Sequence, residues 1–389
     1  MKQVRVSRRA ADRVASGHPW IFSSDIADAG GASPGEAVHV SDVTGRMLGT
    51  AHYSSTSQIT LRLLDSRAIE INRDFYLQRI RKALAFRESL GLLKITQACR
   101  LVHAEGDQLP GLMIDRYGDC FAVQFLSQGM DRAGEEIVSC LEELFSPRAI
   151  VARNDAASRK HEQLKLEKKL LRGELPEGLT VRMNDLDWGV DLLEGQKTGI
   201  FLDQRDNYLA AARFGFGQAL DCFTCYGGFA LHLSKGCQRV EAVDSSEKAL
   251  AAGKKNAEAN GIENVNFRDA DVFDLLGGYV SARRRFDTIV LDPPAFAKSR
   301  SAVDAAVRGY RDINTRALRI LSPGGVLVSC SCSHHISEGM LLEAIAEAGL
   351  EAGRTLRVLD RRTQASDHPI LLTVPETHYL KCVILQAVD

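Results

Sequence analysis

The stretch Thr288-Ile-Val-Leu-Asp-Pro-Pro-Ala-Phe296 decides the fold, because an apolar run ends there on an acid and two prolines. The run predicts a buried strand of a parallel sheet, and the prolines mark its carboxyl end. A second run, Gly325–Ser329, leads into Ser331-Cys-Ser333. Because open α/β sheets bind ligands beyond the carboxyl ends of their strands, Asp292 and Cys332 are predicted to share one site. The alternative is a proline-made turn beside a buried core thiol.

The composition indicates a globular protein with more than one domain. The chain has 389 residues, of which 45% are hydrophobic and 25% charged. No segment approaches the ~18 apolar residues of a membrane span, and Met1–Arg9 lacks the apolar core of a secretory signal. Nine cysteines without disulfide spacing fit reduced thiols, so we expect a cytoplasmic protein with no membrane partner.

The net charge of −1 does not favour a broad basic surface for nucleic acid. Local arginine-rich stretches are interpreted as solvated faces. They are Arg5–Arg13, Arg79–Arg87, Arg283–Arg285 and Arg361-Arg362.

The chain divides into three predicted domains. Residues 1–72 contain short strands separated by turn residues, which predicts a β-barrel-like module with one short helix. Residues 73–185 mix helices and strands in a small central domain, in which the charged segment Lys160–Arg172 is predicted as an exposed helix or loop. In residues 186–389 strands alternate with helices, which predicts an α/β fold with a Rossmann-like, doubly wound parallel sheet. Its predicted strands are Gln218–Asp221, Arg239–Val243, Val265–Phe267, Thr288–Leu291 and Val326–Ser329.

Acids at successive strand ends predict a cofactor site. The stretch Asp221-Cys-Phe-Thr-Cys-Tyr-Gly-Gly228 follows the first strand, and Gly227 lets backbone approach a ligand at a helix start. Asp244 ends the second strand, where an acid can bind ribose hydroxyls, and Asp271 follows the third, where it could bind an adenine amine. No Gly-x-Gly-x-x-Gly fingerprint is present. A ligand with adenosine but no pyrophosphate fits better, and S-adenosylmethionine is the common one.

The pair Cys222-Phe-Thr-Cys225 has the spacing of a metal or redox pair. A zinc site would need a second pair at a suitable distance, which the sequence lacks. We therefore predict no metal site.

Further motifs connect nearly the whole chain to a known family. They are Gly17-His-Pro-Trp-Ile-Phe-Ser23, Leu109-Pro-Gly-Leu112, Asp115-Arg-Tyr117, Gly195-Gln-Lys-Thr-Gly-Ile-Phe-Leu-Asp-Gln-Arg-Asp206, Asp367-His-Pro369 and Tyr379-Leu-Lys381. With these motifs the chain resembles the PUA-domain-containing, S-adenosylmethionine-dependent cytosine-5 methyltransferases of large-subunit rRNA. The resemblance implies a PUA-like RNA-binding domain over residues 1–72, a central domain over 73–185 and a class I methyltransferase domain over 186–389. It implies large-subunit rRNA as the partner and suggests a homodimer.

The resemblance also assigns roles to individual residues. It implies a cofactor lid made of Phe201, Asp203 and Gln204, although Asp203 has an alternative role as a helix N-cap. Beneath the lid it places the acids Asp221, Asp244, Asp271 and Asp292. It makes Cys332 the nucleophile and leaves Cys330 as a buried neighbour. Ala295 stands where relatives with a second catalytic cysteine carry it, so a single-cysteine route is implied. Cys225 departs from the family, whose members more often have a larger residue there.

The implied chemistry is covalent attack of the Cys332 thiolate on carbon 6 of cytosine. Asp292 would hydrogen-bond the base, held by the turn at Pro293, and Phe296 would pack on the base unless it is a core aromatic. At an ordinary pKa near 8.5 only about 3% of a thiol is ionised at pH 7, and a pKa of about 7 requires ~2 kcal/mol of stabilisation. The sequence does not identify the group that supplies it.

Two other functions remain open at this point. A methyltransferase acting on a purine nitrogen, such as guanine N7, would use the same cofactor residues without Cys332. A non-catalytic RNA-binding assembly factor is the second alternative, and it would not need Asp244, Asp292 and Cys332 together.

Overall fold

The computed structural model describes residues 1–297 and 299–389. These residues form two compact units. One unit comprises Met1–Met183, Val190–Ile200 and Ser366–Thr377, and the other comprises Asn184–Gly189, Phe201–Ala365 and His378–Asp389. The first unit contains residues 1–183, which is nearly all of the first two predicted domains, and the boundaries at residues 72 and 185 stay a prediction. In the described part of the chain, no helix combines the length and apolar character of a membrane span.

The first unit begins with a mixed sheet in the strand order β2-β6-β5-β4-β1-β3. Ser7 starts its helix by accepting a hydrogen bond from the Ala10 amide at 3.2 Å. Ala10 and Ala11 then pack against the strands in one hydrophobic core. The elements are β1 (Gln3–Val6), α1 (Arg8–Ala15), β2 (Trp20–Phe22), β3 (Ile26–Asp28), β4 (Ala37–Asp42), β5 (Met47–Tyr53) and β6 (Ile59–Asp65).

A second sheet of this unit has the order β11-β10-β9-β8-β7. Asn72 caps the long helix before it, accepting from the Phe75 amide at 3.1 Å. The elements are α2 (Arg73–Ser89), β7 (Ala98–His103), β8 (Leu112–Tyr117), β9 (Cys120–Phe125), α3 (Gln128–Arg132), α4 (Gly134–Phe145), β10 (Ala149–Asn154), β11 (Glu167–Gly173) and β12 (Thr180–Met183).

The prediction of helix or loop for Lys160–Arg172 is wrong over its second half, which is strand β11. This strand pairs with β10 along Glu167–Gly173 and is largely exposed. Because neither of its faces is apolar, the strand depends on backbone pairing, and its sequence carries no alternating pattern.

The second unit confirms the predicted doubly wound sheet. Its strand order is β16-β15-β14-β17-β18-β20-β19. Strands β14 to β18 are parallel, and β20 is antiparallel to both of its neighbours. The elements are β13 (Leu186–Gly189), α5 (Arg205–Phe214), β14 (Gly217–Cys222), α6 (Gly228–Leu233), β15 (Cys237–Asp244), α7 (Glu247–Ala259), β16 (Val265–Asp269), α8 (Val272–Ser281), β17 (Phe286–Leu291), α9 (Val303–Ile320), β18 (Leu321–Ser331), α10 (Glu338–Ala352), β19 (Leu356–Arg362) and β20 (Lys381–Ala387).

Helices cover both faces of this sheet. Leu220 and Cys222 belong to the hydrophobic core that α8, α9 and α10 build on one face. Side chains alternate along a strand, so Asp221 points to the other face. There its carboxylate accepts a hydrogen bond from the Ala230 amide of α6 at 2.9 Å. The strand order reverses between β14 and β17, which makes the carboxyl ends of these strands the expected ligand crevice.

Candidate active site

Two loops leave the sheet side by side at the point where the strand order reverses. One follows β14 over residues 223–227, and the other begins at Asp292 after β17. The Asp292 amide donates to the Cys222 carbonyl at 3.4 Å, which joins the two loops. The structure therefore brings Asp221 and Asp292 to one edge, as the sequence predicts.

The loop after β14 has an unusual backbone. Phe223 and Cys225 have φ angles of 63° and 48°, in the left-handed region that side chains rarely adopt. Such conformations cost ~1–2 kcal/mol each and concentrate at functional sites. Gly227 has a φ of 86° and precedes α6. At Gly228 an added Cβ would lie 2.4 Å from Cζ of Tyr208, so the helix start tolerates no side chain.

Asp221 supports this loop from within the protein. Its Oδ2 accepts hydrogen bonds from Thr224 Oγ1 at 2.6 Å and from the Ala230 amide at 2.9 Å. Its Oδ1 is buried and has no hydrogen-bond partner among the described residues. Burial raises the pKa of Asp221 to about 7, and the nearby negative charge of Asp292 also raises it. Asp221 thus stabilises the loop through Oδ2, while Oδ1 is available to accept a hydrogen bond from a ligand.

Asp244 and Asp271 lie at the ends of the next two strands, but in different settings. Asp244 is half-buried, and its two oxygens accept from the Cys225 and Ser246 amides, both at 2.9 Å. Each carboxylate oxygen has a second lone pair, so Asp244 can still accept from ribose hydroxyls. Asp271 is exposed and caps α8, accepting from the Asp274 amide at 3.0 Å. Its predicted contact with adenine stays a prediction.

The predicted lid residues are largely buried. Asp203 accepts from the Tyr379 hydroxyl at 2.9 Å, and its carbonyl accepts from the Ala365 amide at 2.8 Å. Gln204 is buried, and its Nε2 lacks a hydrogen-bond partner in the part of the chain that the structure describes. The Phe201 ring centre lies 6.5 Å from that of Tyr226 in the loop after β14. The N-cap position of α5 is occupied by Gln204 rather than by Asp203, and the Gln204 side chain makes no capping hydrogen bond.

The two cysteines near the end of β18 differ in their surroundings. Cys330 is fully buried opposite Cys382 of β20, and burial raises its pKa well above the ordinary value. Cys332 is half-buried just beyond the strand. The environment therefore favours Cys332 as the reactive thiol, since a nucleophile must ionise and be reached.

The serines that flank Cys332 hold its turn in place. Ser331 Oγ donates to the Tyr310 hydroxyl at 2.8 Å, and that hydroxyl lies 3.1 Å from Ser333 Oγ. The Ala297 amide donates to Ser333 Oγ at 3.3 Å. The turn with Cys332 is thereby tied to the loop that begins at Asp292.

Lys381 is the functional candidate whose role the sequence did not reveal. It begins β20 opposite Ser331 and is only 3% exposed. Its Nζ donates to the carbonyls of Ser333 and Tyr379 at 2.7 and 2.8 Å. Burial lowers the pKa of Lys381 to about 8, and the negative charge of ionised Cys332 opposes that decrease. The attraction is mutual, so the ammonium favours the Cys332 thiolate. The available signal in the sequence was the motif Tyr379-Leu-Lys381, which contains this lysine.

The predicted substrate contacts lie on the inner side of their loop. Pro293 is buried, and Pro294 is exposed. The ring centre of Phe296 lies 4.7 Å from that of Tyr310 and 6.2 Å from that of Phe273. Phe296 thus packs against the core, and its contact with a base stays a prediction.

The polar groups at this edge fit an adenosine ligand that carries a charged amino-acid group. Asp221 Oδ1 offers a buried acceptor and Gln204 Nε2 a buried donor, each unsatisfied within the described residues. An unsatisfied buried polar group costs ~1–3 kcal/mol, which a bound ligand can recover. Asp244 offers carboxylate acceptors of the kind that ribose hydroxyls need.

Comparisons with known proteins agree with this chemistry. A family described as S-adenosylmethionine-dependent methyltransferase matches residues 142–376, and a PUA-like domain matches residues 4–66. The chain is 43% identical over 374 residues to "Ribosomal RNA large subunit methyltransferase I" of Shewanella amazonensis, with 94% of each chain covered. It is 41% identical over 375 residues to the protein of that name from Shewanella denitrificans, again with 94% of each covered.

Solved structures share the fold. A putative S-adenosylmethionine-dependent methyltransferase from Streptococcus mutans matches with a TM-score of 0.85 at 21% identity, covering 100% of both chains. A putative methyltransferase complexed with SAH gives the same TM-score, identity and coverage, 0.85, 21% and 100%. The predicted fold class and the predicted cofactor, S-adenosylmethionine, are thereby confirmed. The chain belongs to the S-adenosylmethionine-dependent methyltransferases with an N-terminal PUA-like domain, the family of the Shewanella large-subunit rRNA methyltransferases.

Proposed function

We propose that this protein methylates carbon 5 of a cytosine in large-subunit rRNA through a covalent bond to Cys332. The observation that carries the proposal is the half-buried Cys332 thiol beside the buried ammonium of Lys381. Asp292 follows the neighbouring strand β17. The name of the Shewanella relatives supports large-subunit rRNA as the substrate.

The charge of Lys381 supports ionisation of the Cys332 thiol near neutral pH. With a pKa of about 8 it is mostly protonated at pH 7, and its charge acts on Cys332. Lowering a thiol pKa from about 8.5 to about 7 takes ~2 kcal/mol, which one partly buried opposite charge can supply. The hydrogen bonds of Lys381 to two carbonyls hold the charge in place.

The thiolate then starts a sequence of bond changes on the base. The sulfur of Cys332 forms a bond to carbon 6, and the electron pair of the 5,6 double bond moves to carbon 5. Carbon 5 would take the methyl group from bound S-adenosylmethionine, with its electron pair forming the new carbon–carbon bond while the bond from the methyl group to the sulfonium sulfur breaks and S-adenosylhomocysteine leaves. A base removes the proton from carbon 5, the electron pair restores the double bond, and the sulfur leaves carbon 6 as thiolate.

Asp292 orients the cytosine during these steps. Its carboxylate accepts a hydrogen bond from the exocyclic amine, which holds the ring in place as charge develops. The base must leave its stack to reach this edge, which costs a few kcal/mol in duplex RNA. The PUA-like domain would bind RNA mainly by shape and backbone. A cytoplasmic location and a homodimer remain predictions.

Methyl transfer from labelled S-adenosylmethionine to unmodified large-subunit rRNA tests the proposal, with the product nucleoside identified by mass spectrometry. We expect 5-methylcytidine from wild type and from Cys330→Ala, and none from Cys332→Ala. A methylated purine would favour the purine alternative. Cofactor binding without any transfer to rRNA would favour a non-catalytic RNA-binding protein.

A further inference from the structure

A concave surface on the methyltransferase sheet gathers arginines away from the candidate active site. Arg239 of β15, Arg268 of β16 and Arg284 before β17 line a cavity of about 220 Å³, with Gln218 and Asn266 at its sides. We call it the arginine cavity. Arg239 precedes Asp244 on the same strand, so at ~3.3 Å per residue the cavity lies ~17 Å from the strand end that carries Asp244.

Two of these guanidinium groups are held in fixed positions. Arg268 Nη1 donates to the Tyr279 hydroxyl at 2.7 Å and lies 3.2 Å from Glu241 Oε1. Arg284 Nη2 lies 3.2 Å from Glu241 Oε2. The Arg284 guanidinium carbon is also 4.2 Å from the centre of the Tyr279 ring and 5.0 Å from that of Phe286. Stacking and ion pairing reduce the entropy that a ligand would have to remove.

The cavity carries excess positive charge. Among its described lining residues the only acid is Glu241, which is 8% exposed and shared by two arginines. Arg239 is exposed, and its side chain makes no ion pair or hydrogen bond within residues 1–297 and 299–389. Arg283 and Arg285 flank Arg284 in sequence, while the nearby Asp287 accepts from the Gln218 amide at 2.8 Å.

This charge stands out in a chain with a net charge of −1. The sequence suggested that Arg283–Arg285 is a solvated face. The three arginines are exposed, as that interpretation expects, and Arg284 also stacks on an aromatic ring in a concave site that it shares with arginines from two strands. Guanidinium groups that converge in this way match the oxygens of a phosphate.

We propose that the arginine cavity binds a backbone phosphate of the RNA substrate. This inference rests on the proposed function, since it assumes that the substrate is a structured rRNA long enough to reach beyond the catalytic edge. Contacts to phosphates position RNA without reading its sequence, so the cavity would set the register of the substrate. The guanidinium of Arg239 and the side-chain amides of Asn266 and Gln218 complete the set of donors.

The test measures binding of an unmodified large-subunit rRNA transcript at several salt concentrations. Arg239→Ala should weaken binding several-fold and reduce the slope of log K against log salt by about 0.7–0.9, the value for one lost phosphate contact. Arg239→Glu should weaken it further. Arg357→Ala is the matched control, because Arg357 is an exposed arginine of β19 whose Nη1 donates to Gln386 at 3.4 Å. All three variants should have the melting temperature of wild type and bind S-adenosylmethionine with the affinity of wild type.

The outcomes separate this inference from the proposed function. An unchanged slope for Arg239→Ala, or an equal loss for Arg357→Ala, would overturn the phosphate site even if wild type methylates rRNA. A slope that depends on Arg239 would support the site even if the methylated product were not 5-methylcytidine. A wild-type protein that does not bind the transcript would refute both.

Discussion

Replacing Lys381 by methionine should raise the pKa of Cys332. Methionine fills a similar volume without charge, and Lys381 is 3% exposed with a pKa of about 8, so at pH 7 about nine-tenths of it is charged. Opposite unit charges 4 Å apart attract by about 4 kcal/mol at an effective dielectric of 20 and by about 1 kcal/mol in water. Cys332 is only half-buried, so we take ~1.5–2.5 kcal/mol, which corresponds to ~1–2 pKa units.

The assay follows alkylation of Cys332 by iodoacetamide against pH, with the modified peptide quantified by mass spectrometry. The midpoint for Lys381→Met should lie ~1–2 units above that of wild type, and for a wild-type midpoint near 7 the rate at pH 7 should fall ~5- to 50-fold. Lys381→Gln is the matched control, because glutamine keeps a donor for the carbonyl of Ser333 but has no charge. It should show the same elevated midpoint. Equal midpoints for wild type and Lys381→Met would refute the role of the charge, and recovery in Lys381→Gln would assign the effect to hydrogen bonding.

Further predictions concern the cofactor site and the stability of the sheet edge. Asp244→Asn should weaken S-adenosylmethionine binding ~10- to 100-fold in calorimetry, because hydrogen bonds to a charged acceptor contribute ~1.5–3 kcal/mol; unchanged affinity would exclude Asp244 from the site. Gly228→Ala should destabilise the protein by ~1–3 kcal/mol in thermal melting, because its Cβ would meet Tyr208 at 2.4 Å. The control Gly278→Ala, with nothing within 4 Å on helix α8, should instead stabilise by up to ~1 kcal/mol. Burial raises the pKa of Asp221 from 3.8 to about 7, so in this pH range the folded state keeps a proton that the unfolded state releases. The free energy of unfolding therefore decreases as the pH rises from about 4 to about 7. Asn does not titrate, so Asp221→Asn removes that decrease. The melting temperature of the variant should therefore rise relative to that of wild type as the pH increases from about 4 to about 7. A difference in melting temperature that stays constant over this range would contradict the raised pKa of Asp221.

The sheet of the second unit could be predicted because its strands carry strong local patterns. Thr288–Leu291 and Val326–Ser329 are apolar runs covered on both faces, and the helices between the strands have their own periodicity. Strand β11 was not predicted, because its side chains are mostly exposed and its extended conformation is stabilised by backbone pairing with β10. The alternation of strands and helices likewise ends before β20, whose antiparallel place beside β18 no local pattern specifies.

The candidate site was predictable where it depends on strand ends. Asp221, Asp244 and Asp292 follow apolar runs, and parallel strands bring such positions to one edge. The proximity of Lys381 to Cys332 was not predictable, because it depends on which strand lies beside β18. The detailed hydrogen bonds of Asp221 and the capping role of Asp271 depend on backbone positions that only the folded chain defines.

Trapping the covalent intermediate tests the central claim most directly. An rRNA transcript with 5-fluorocytidine in place of cytidine would be incubated with enzyme and S-adenosylmethionine, then analysed on a denaturing gel and by peptide mass spectrometry. Fluorine at carbon 5 cannot leave as the proton does, so the bond from sulfur to carbon 6 should persist. We predict an RNA adduct on the Cys332 peptide in wild type and in Cys330→Ala, and none in Cys332→Ala. An adduct that survives in Cys332→Ala, or no adduct in a wild-type enzyme that methylates ordinary rRNA, would contradict the covalent role of Cys332.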